Sequence, residues 1–234
     1  MKKVLITGGS RGIGAQCVRD FSKSGYEVYF TYNNSEKKAK ELSEQTGAYP
    51  VKCDISSAHE VKDALLEINN IDILINNAGI SQIKMFQDIT EDDWDRMFDI
   101  NIKGMFLVTK SVIGSMIKNK YGRIINISSM WGEAGASCEV HYSASKSAVI
   151  GFTKALAKEL APSGITVNCV SPGVIMTDMN SHLTDDDVKE LCDETPVMRM
   201  GEPWEVSRAV MYLADEKSGF ITGTVLSVNG GIVI

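Results

Sequence analysis

The sequence predicts an α/β fold on a doubly wound parallel sheet, and three observations predict it. Short apolar runs alternate with helical patterns along the whole chain, which is how βαβ units read. The runs are continuously apolar, as strands covered on both faces are. A glycine-rich turn, Gly8-Gly9-Ser10-Arg11-Gly12-Ile13-Gly14, joins the first run to the first helical pattern.

Val4–Ile6 reads as the first strand, and a helix follows from about Gly12 to Ser24. Val28–Thr31 is the second run, followed by a charged helix over Ser35–Gln45. Val51–Cys53 is the third, with a helix over Ala58–Ile68, and Ile71–Ile75 is the fourth. A long helix is expected from Asp92 to Asn119, because Trp94, Met97, Phe98, Ile102, Met105 and Phe106 recur at near-helical spacing. Ile124–Ile127 is the fifth strand. Tyr142–Leu160 is helical and stops at Pro162-Ser163-Gly164. Ile165–Val170 and Val225–Val228 complete the strands. The stretch Met176–Pro203 fits the alternation worst, being polar, acidic at Asp185-Asp186-Asp187 and interrupted by Pro196. It reads either as a lid or binding loop or as a helical excursion on the surface. No repeat or low-complexity linker divides the chain, so residues 1–234 read as one domain.

The chain has 234 residues, 44% hydrophobic and 23% charged, which is ordinary globular composition with ample length for one large core. A net charge of −6 argues against a nucleic-acid partner. The five cysteines (Cys17, Cys53, Cys138, Cys169, Cys192) form no C-x-x-C pair and read as reduced thiols of a cytoplasmic protein. His59, His141 and His182 have no ligand spacing, so no metal site is expected. The apolar start stops at Thr7, too early for a signal-peptide core, and no run of about 18 apolar residues suggests a membrane span.

Glycines allow a tight turn and let backbone approach a pyrophosphate, while the helix that follows supplies free N–H groups and a positive dipole end. The spacing here is G-x-x-x-G-x-G, and its place after the first strand points to dinucleotide binding. An acidic residue at the end of the second strand would bind the 2′-hydroxyl of NAD. That position reads Tyr32-Asn33-Asn34-Ser35, with no carboxylate before Glu36. Arg11 stands in the glycine loop, where a guanidinium can take a 2′-phosphate bidentately, so NADPH is expected over NADH.

Tyr142 and Lys146 are spaced i and i+4, so on a helix they share a face. Ser129 lies thirteen residues before Tyr142, at the end of the fifth apolar run. The trio offers a proton donor, a cation that lowers the Tyr pKa, and an orienting hydroxyl.

These residues together resemble the short-chain dehydrogenase/reductase family over essentially the whole chain. The markers are Thr7–Gly14, Asp54-Ile55, Asn76-Asn77-Ala78-Gly79, Asn101, Ile127-Ser128-Ser129, Tyr142-Ser-Ala-Ser-Lys146, Pro172-Gly173 with Thr177, and Val228-Asn229-Gly230-Gly231. The resemblance implies a single-domain, Rossmann-type sheet of about seven strands with helices on both faces. It implies a catalytic tetrad of Asn101, Ser129, Tyr142 and Lys146, with Ser128 the competing serine and the thirteen-residue gap favouring Ser129. It places Gly8, Gly9, Ser10, Arg11, Gly12, Ile13 and Gly14 at the pyrophosphate. Asp54 and Ile55 would flank the adenine, beyond Tyr32 and Asn33. Asn77, Ala78 and Gly79 would lie along the ribose, and Pro172, Gly173, Ile175 and Thr177 at the nicotinamide. Asn76 and Asn77 also read as amides that tie neighbouring strands together.

Within the family, the resemblance is broadest to reductases of 3-oxoacyl groups on acyl carrier protein. Lys118, Lys120 and Arg123 are candidate docking cations for such an acidic carrier. The segment from Trp131 to His141, with Glu133 and Glu139, resembles the elongation factor P 5-aminopentanone reductases, where carboxylates would suit an ammonium-bearing ketone. Trp131, Glu139 and His141 are the expected substrate contacts. The same residues would also serve a sugar or polyol dehydrogenase, and the complete tetrad argues against a non-catalytic dinucleotide-binding regulator. The resemblance further implies a homotetramer formed through the long helices and the apolar C-terminal segment.

Overall fold

Parallel pairing joins all seven strands into one sheet. They are β1 (Lys3–Ile6), β2 (Glu27–Tyr32), β3 (Tyr49–Lys52), β4 (Ile73–Asn76), β5 (Gly122–Ile127), β6 (Ile165–Pro172) and β7 (Val225–Val228). Their order is β3-β2-β1-β4-β5-β6-β7. The chain winds outward from β1 to β3 and then returns to start again at β4, beside β1. Ligands of such sheets bind beyond the carboxyl ends of the strands where the order reverses, here β1 and β4. The computed structural model of the chain describes every residue except Glu67, Ser181 and His182. The expected end of the third helix at Ile68 crosses Glu67, and His182 also lies outside the described residues.

Successive strand residues point to opposite faces, and the core divides accordingly. Val4, Ile6, Ile73, Ile75, Ile125 and Ile127 pack with α1 (Gly12–Lys23), α2 (Glu36–Thr46) and α9 (Pro203–Ala214). Leu5, Leu74, Ile124 and Val167 pack on the other face with α3 (Ala58–Leu66), α5 (Met105–Asn119) and α7 (Val140–Leu160). The helix α9 was not foreseen, because Trp204, Tyr212 and Arg208 interrupt an apolar stripe that only its buried residues Val206, Val210, Leu213 and Ala214 reveal.

The long helix expected over Asp92–Asn119 is two α-helices joined by a π-helical turn: α4 (Glu91–Phe98), Asp99–Gly104, then α5. The apolar residues keep a near-helical spacing through that turn, which is why spacing alone merged the three pieces. Taken as one helix, Glu91–Asn119 has the length and mean hydropathy of a membrane span, as core helices of soluble proteins also do, yet it holds no unbroken run of about 18 apolar residues. Here Val108, Val112 and Met116 spend that apolar face on the sheet. The stretch Met176–Pro203 contains a helix of its own. It holds α8 (Asp185–Glu194), capped by Thr184, and its two ends are stitched together by Met176 N–H to Gly201 O (2.9 Å) and Gly201 N–H to Val174 O (2.9 Å).

A buried amide network fixes α5 and α7 over the sheet. Asn76 Nδ2 donates to Asn126 Oδ1 (2.8 Å) and to Thr109 Oγ1 in α5 (3.0 Å), and Asn126 Nδ2 donates to Thr153 Oγ1 in α7 (2.9 Å). The strand-tying role read for Asn76 is therefore present. Asn126 is fully buried, and Asn126→Ala strands a donor on Asn76 and the Thr153 hydroxyl. Urea unfolding should show a loss of about 1–3 kcal/mol with an unchanged slope; a loss below roughly 0.5 kcal/mol would mean the network carries no weight.

Candidate active site

The glycine loop leaves β1 because no side chain fits its path. A Cβ on Gly8 would stand 2.9 Å from Ala78 Cα, one on Gly9 2.5 Å from Phe30 Cβ, and one on Gly14 2.4 Å from Gly8 O. Gly12, at φ +54°, faces Thr177 across the crevice. Asn77 braces the loop, its Nδ2 donating to Thr7 O (3.0 Å) and Gly8 O (3.1 Å), while Thr7 Oγ1 accepts from the Asn77 and Ala78 amides (both 3.0 Å). So the Asn77 amide mainly supports backbone. The helix α1 begins with no side-chain cap and no acid in its first turn, and its orphan N–H groups and dipole fit a pyrophosphate.

The cofactor positions beyond the loop fall along the same edge. Asn33, after β2, hydrogen-bonds Asp54, after β3. Burial pushes the Asp54 carboxyl up, but the Ser56 hydroxyl (2.7 Å), the Ser56 amide (2.9 Å) and Asn33 together hold it below its ordinary value. Tyr32 closes β2 and is half-buried. Ile55 does not present its side chain openly, because it is buried against Gly104 of the π turn. Exposed Arg11 borders a recess of about 280 Å³ together with Ser10, Arg19 and Lys38. Lys38 pairs with Asp178, whose carboxyl it holds below its ordinary value with a further contribution from Arg11. Pro172 ends β6, Gly173 N–H donates to Val228 O (3.0 Å), and Ile175 is buried.

Ser129, Tyr142, Lys146 and Asn101 come together where β5, α7 and the π turn meet. Ser129 stands close enough to the Tyr142 phenol to lower its pKa. Ser129 Oγ also accepts the Trp131 amide (3.2 Å). Ser128 turns away, donating to Lys146 O (2.8 Å), so the geometry agrees with Ser129 as the serine beside the phenol. Lys146 is buried, and its Nζ donates to Ile127 O (3.0 Å) while lying 5.7 Å from the Tyr142 ring centroid. Asn101 clasps Ile80, accepting its N–H at Oδ1 (2.9 Å) and donating Nδ2 to its carbonyl (3.0 Å) and to Ser145 Oγ (3.0 Å). A Cβ on Gly79 would meet both Asn101 Oδ1 (3.1 Å) and Lys146 Nζ (3.4 Å), so these two groups border one narrow space.

Electrostatics here differ from the expectation that Lys146 lowers the Tyr142 pKa. Burial pushes Tyr142 up to about 12, with the Ser129 hydrogen bond pulling it down less strongly and Glu139 adding to the rise. Burial also brings Lys146 down to about 8. Both groups lose water, and that loss sets the direction of each shift.

The substrate-side expectations divide. Trp131 opens the short helix α6 (Trp131–Ala134) and is half-buried beside Ser129. Glu139 lies near enough to Tyr142 to affect its titration. Glu133 faces away, its Oε1 accepting from Ser227 Oγ (3.2 Å). His141 does not reach the surface: it is fully buried, with Nε2 2.9 Å from Gln82 Oε1. Arg123, expected as a docking cation, is buried under Tyr121 and donates to Gly122 O (2.9 Å) and Glu216 O (3.3 Å). Gly132 escaped the sequence reading, since nothing local marks it. A Cβ there would stand 2.7 Å from the Lys146 carbonyl carbon and 2.8 Å from Ser128 Oγ, so α6 can seat on α7 only through glycine. Among the described residues no group of His, Cys, Asp or Glu is arranged to hold a metal ion.

The lowered Lys146 pKa predicts an alkaline gain in stability. Between the folded value of about 8 and the ordinary value of 10.5, the unfolded chain holds a proton that the folded chain has lost, so stability rises with pH. Without added nucleotide, wild type should gain about 2 kcal/mol between pH 7 and 9.5 relative to Lys146→Met. Parallel urea curves for the two proteins would contradict this.

A family model described as short chain dehydrogenase matches residues 2–188. Acetoacetyl-CoA reductase of Shinella zoogloeoides is 40% identical over 232 residues, covering 97% of this chain and 96% of that protein. The 3-oxoacyl-[acyl-carrier-protein] reductase of Aquifex aeolicus is 40% identical over 240 residues, covering 99% and 97%. Its Staphylococcus epidermidis counterpart is 36% identical over 240 residues, covering 99% and 98%. With its glycine loop, parallel sheet and buried Tyr142–Lys146 pair, the chain belongs to the short-chain dehydrogenase family.

Proposed function

We propose that the chain is an NADPH-dependent ketoreductase of fatty acid synthesis, reducing a 3-oxoacyl thioester carried on acyl carrier protein to the 3-hydroxyacyl thioester. The observation that carries this reading is the Tyr142 phenol gathered with Ser129 and buried Lys146 at the sheet edge where the glycine loop lies. Relatives of 36–40% identity named as reductases of 3-oxoacyl carrier-protein thioesters or of acetoacetyl-CoA support the substrate class.

Bound NADPH supplies the hydride that reaches the carbonyl carbon. Tyr142, with its pKa raised, enters the reaction protonated and donates its phenolic proton to the carbonyl oxygen. Ser129 donates to the same oxygen as negative charge develops there. Lys146 stabilises the phenolate that Tyr142 becomes, at a distance its buried ammonium can bridge without screening. Asn101 serves by position: its amide is committed to Ile80 and Ser145 and does not stand open to hold a water.

Arg11 is the proposed ligand of the 2′-phosphate, with no carboxylate after β2 to oppose it. Exposed apolar residues, Trp94 on α4, Phe106 on α5, and Trp204, Tyr212, Phe220 and Ile234 toward the C-terminus, support a homotetramer. Five unbridged cysteines suit the cytoplasm. A second reading, reduction of an ammonium-bearing ketone on elongation factor P, is favoured by Glu139 beside Tyr142 and by the loss of Arg123 to internal contacts.

Purified protein with NADPH should turn over an acetoacetyl thioester, and Tyr142→Phe should lose at least about 100-fold in kcat while binding NADPH normally. No thioester turnover, with turnover of an amine-bearing ketone, would transfer the assignment to the second reading. Arg11→Ala removes a charge-assisted contact worth about 1.5–3 kcal/mol, so KM for NADPH should rise roughly tenfold to a hundredfold and that for NADH little. Equal losses with both nucleotides would remove Arg11 from the phosphate site.

A further inference from the structure

The segment after β4, Ile80 to Met85, is held by side chains from the π turn, from α4 and from α7. Asn101 clasps Ile80 at one end. In the middle, Gln82 reaches in both directions: its Nε2 donates to Asp93 Oδ1 (3.0 Å), and its Oε1 meets His141 Nε2 (2.9 Å). At the far end, Lys84 pairs with Asp93 Oδ2 (2.5 Å), and its amide donates to Cys138 O (2.7 Å) in the segment leading to α7. Asp93 is also fixed by Thr90, whose amide (3.0 Å) and hydroxyl (2.8 Å) donate to it at the start of α4.

The orientation of this chain of bonds follows from its donors. An ionised Asp93 only accepts, so the Gln82 amide nitrogen faces it and the Gln82 oxygen faces His141. His141 must then carry its proton on Nε2, which leaves Nδ1, buried without a partner, unprotonated. Burial holds the His141 pKa below its ordinary value, with Asp93 opposing and Lys84 assisting that shift, so the neutral ring persists at working pH.

His141 precedes Tyr142 in the first turn of α7. First turns fray unless something outside the helix holds them. The ring is fully buried and anchored outside its own helix. Ser143, on the other side of Tyr142, is likewise tied, accepting the Ala136 amide (3.1 Å). We propose that His141 and Gln82 are positioning residues for the ketoreductase reaction: through Asp93 they lock the turn that carries Tyr142 to the loop that faces the substrate. This also explains why an expected substrate contact lies inside the protein.

The inference rests on the reading of Tyr142 as proton donor, and the two are tested together but separably. His141→Phe keeps the ring's bulk and removes its nitrogens, and Gln82→Met keeps chain length and removes the amide. Each should lower kcat about tenfold, leave KM for NADPH within about twofold, and shift the alkaline limb of kcat, which the Tyr142 phenol sets with Ser129, Lys146 and Glu139 around it. The double variant should be no slower than either single one, because both cut one chain. His141→Gln, which restores an N–H donor, should recover most of the rate. Folded His141→Phe and Gln82→Met variants with wild-type kcat and pH profile would overturn the proposal, as would a folded His141→Gln as slow as His141→Phe. If His141→Phe does not fold, Gln82→Met, altered at a partly exposed loop position, decides alone. Wild-type rates in Tyr142→Phe would refute the proton-donor reading itself, whereas an inactive Tyr142→Phe beside fully active His141 and Gln82 variants would refute only the positioning.

Discussion

A fully buried ammonium organises this protein's reactive edge. Lys146 Nζ rests on the carbonyl of Ile127, the last residue of β5, and a charge so placed costs several kcal/mol unless its surroundings are built for it. The surroundings are built by backbone. Gly132 lets α6 press against the Lys146 turn, Ser128 takes up the Lys146 carbonyl, and Gly79 leaves room between Nζ and Asn101. The lysine remains ionisable near neutrality, with a pKa of about 8. Its neighbour Tyr142 is buried with it and stays a phenol until an oxyanion calls for its proton.

The parallel sheet makes that arrangement possible at a distance. β1 and β4 end side by side, so the glycine loop and the Asn77–Gly79 segment meet, and Thr7 and Asn77 bond them directly. β5 ends next to them and delivers Ser129, and α7 returns across the same edge with Tyr142 and Lys146. The buried amides of Asn76 and Asn126 hold α5 and α7 against these strands. The glycine-loop half and the Ser129–Tyr142–Lys146 half thus share one frame.

Much of this was legible in the residues. Apolar runs marked the central strands, which are covered on both faces, while edge strand β3 is partly exposed and carries Lys52, and the i, i+4 spacing of Tyr142 and Lys146 needed only a helix to become a pair. What escaped depended on three-dimensional neighbours. The π turn at Asp99–Gly104 was hidden because its apolar spacing stays near-helical. The interior position of His141 was hidden because its partner Gln82 is remote in sequence and polar. Arg123 looked like a surface cation until the carbonyls after α9 surrounded it. The direction of the Tyr142 shift was missed because spacing reports a nearby charge and not the loss of water that outweighs it.

On the proposed reading, substrate choice would rest with two segments beside the reactive edge. The loop from Ile80 to Met85 and the segment from Trp131 to His141 are sewn to each other by Lys84, Cys138, Gln82 and His141. They present Ile83, Met85 and Val140 outward. Apolar groups in that place suit an acyl chain better than a sugar, whose hydroxyls would go unmatched against them. Glu139 is the exception, a carboxylate close enough to Tyr142 to raise its pKa. A cationic substrate group would relieve that repulsion between Glu139 and a phenolate at Tyr142, whereas an acyl chain would not. The two substrate readings therefore differ in whether the substrate brings a positive charge toward Glu139.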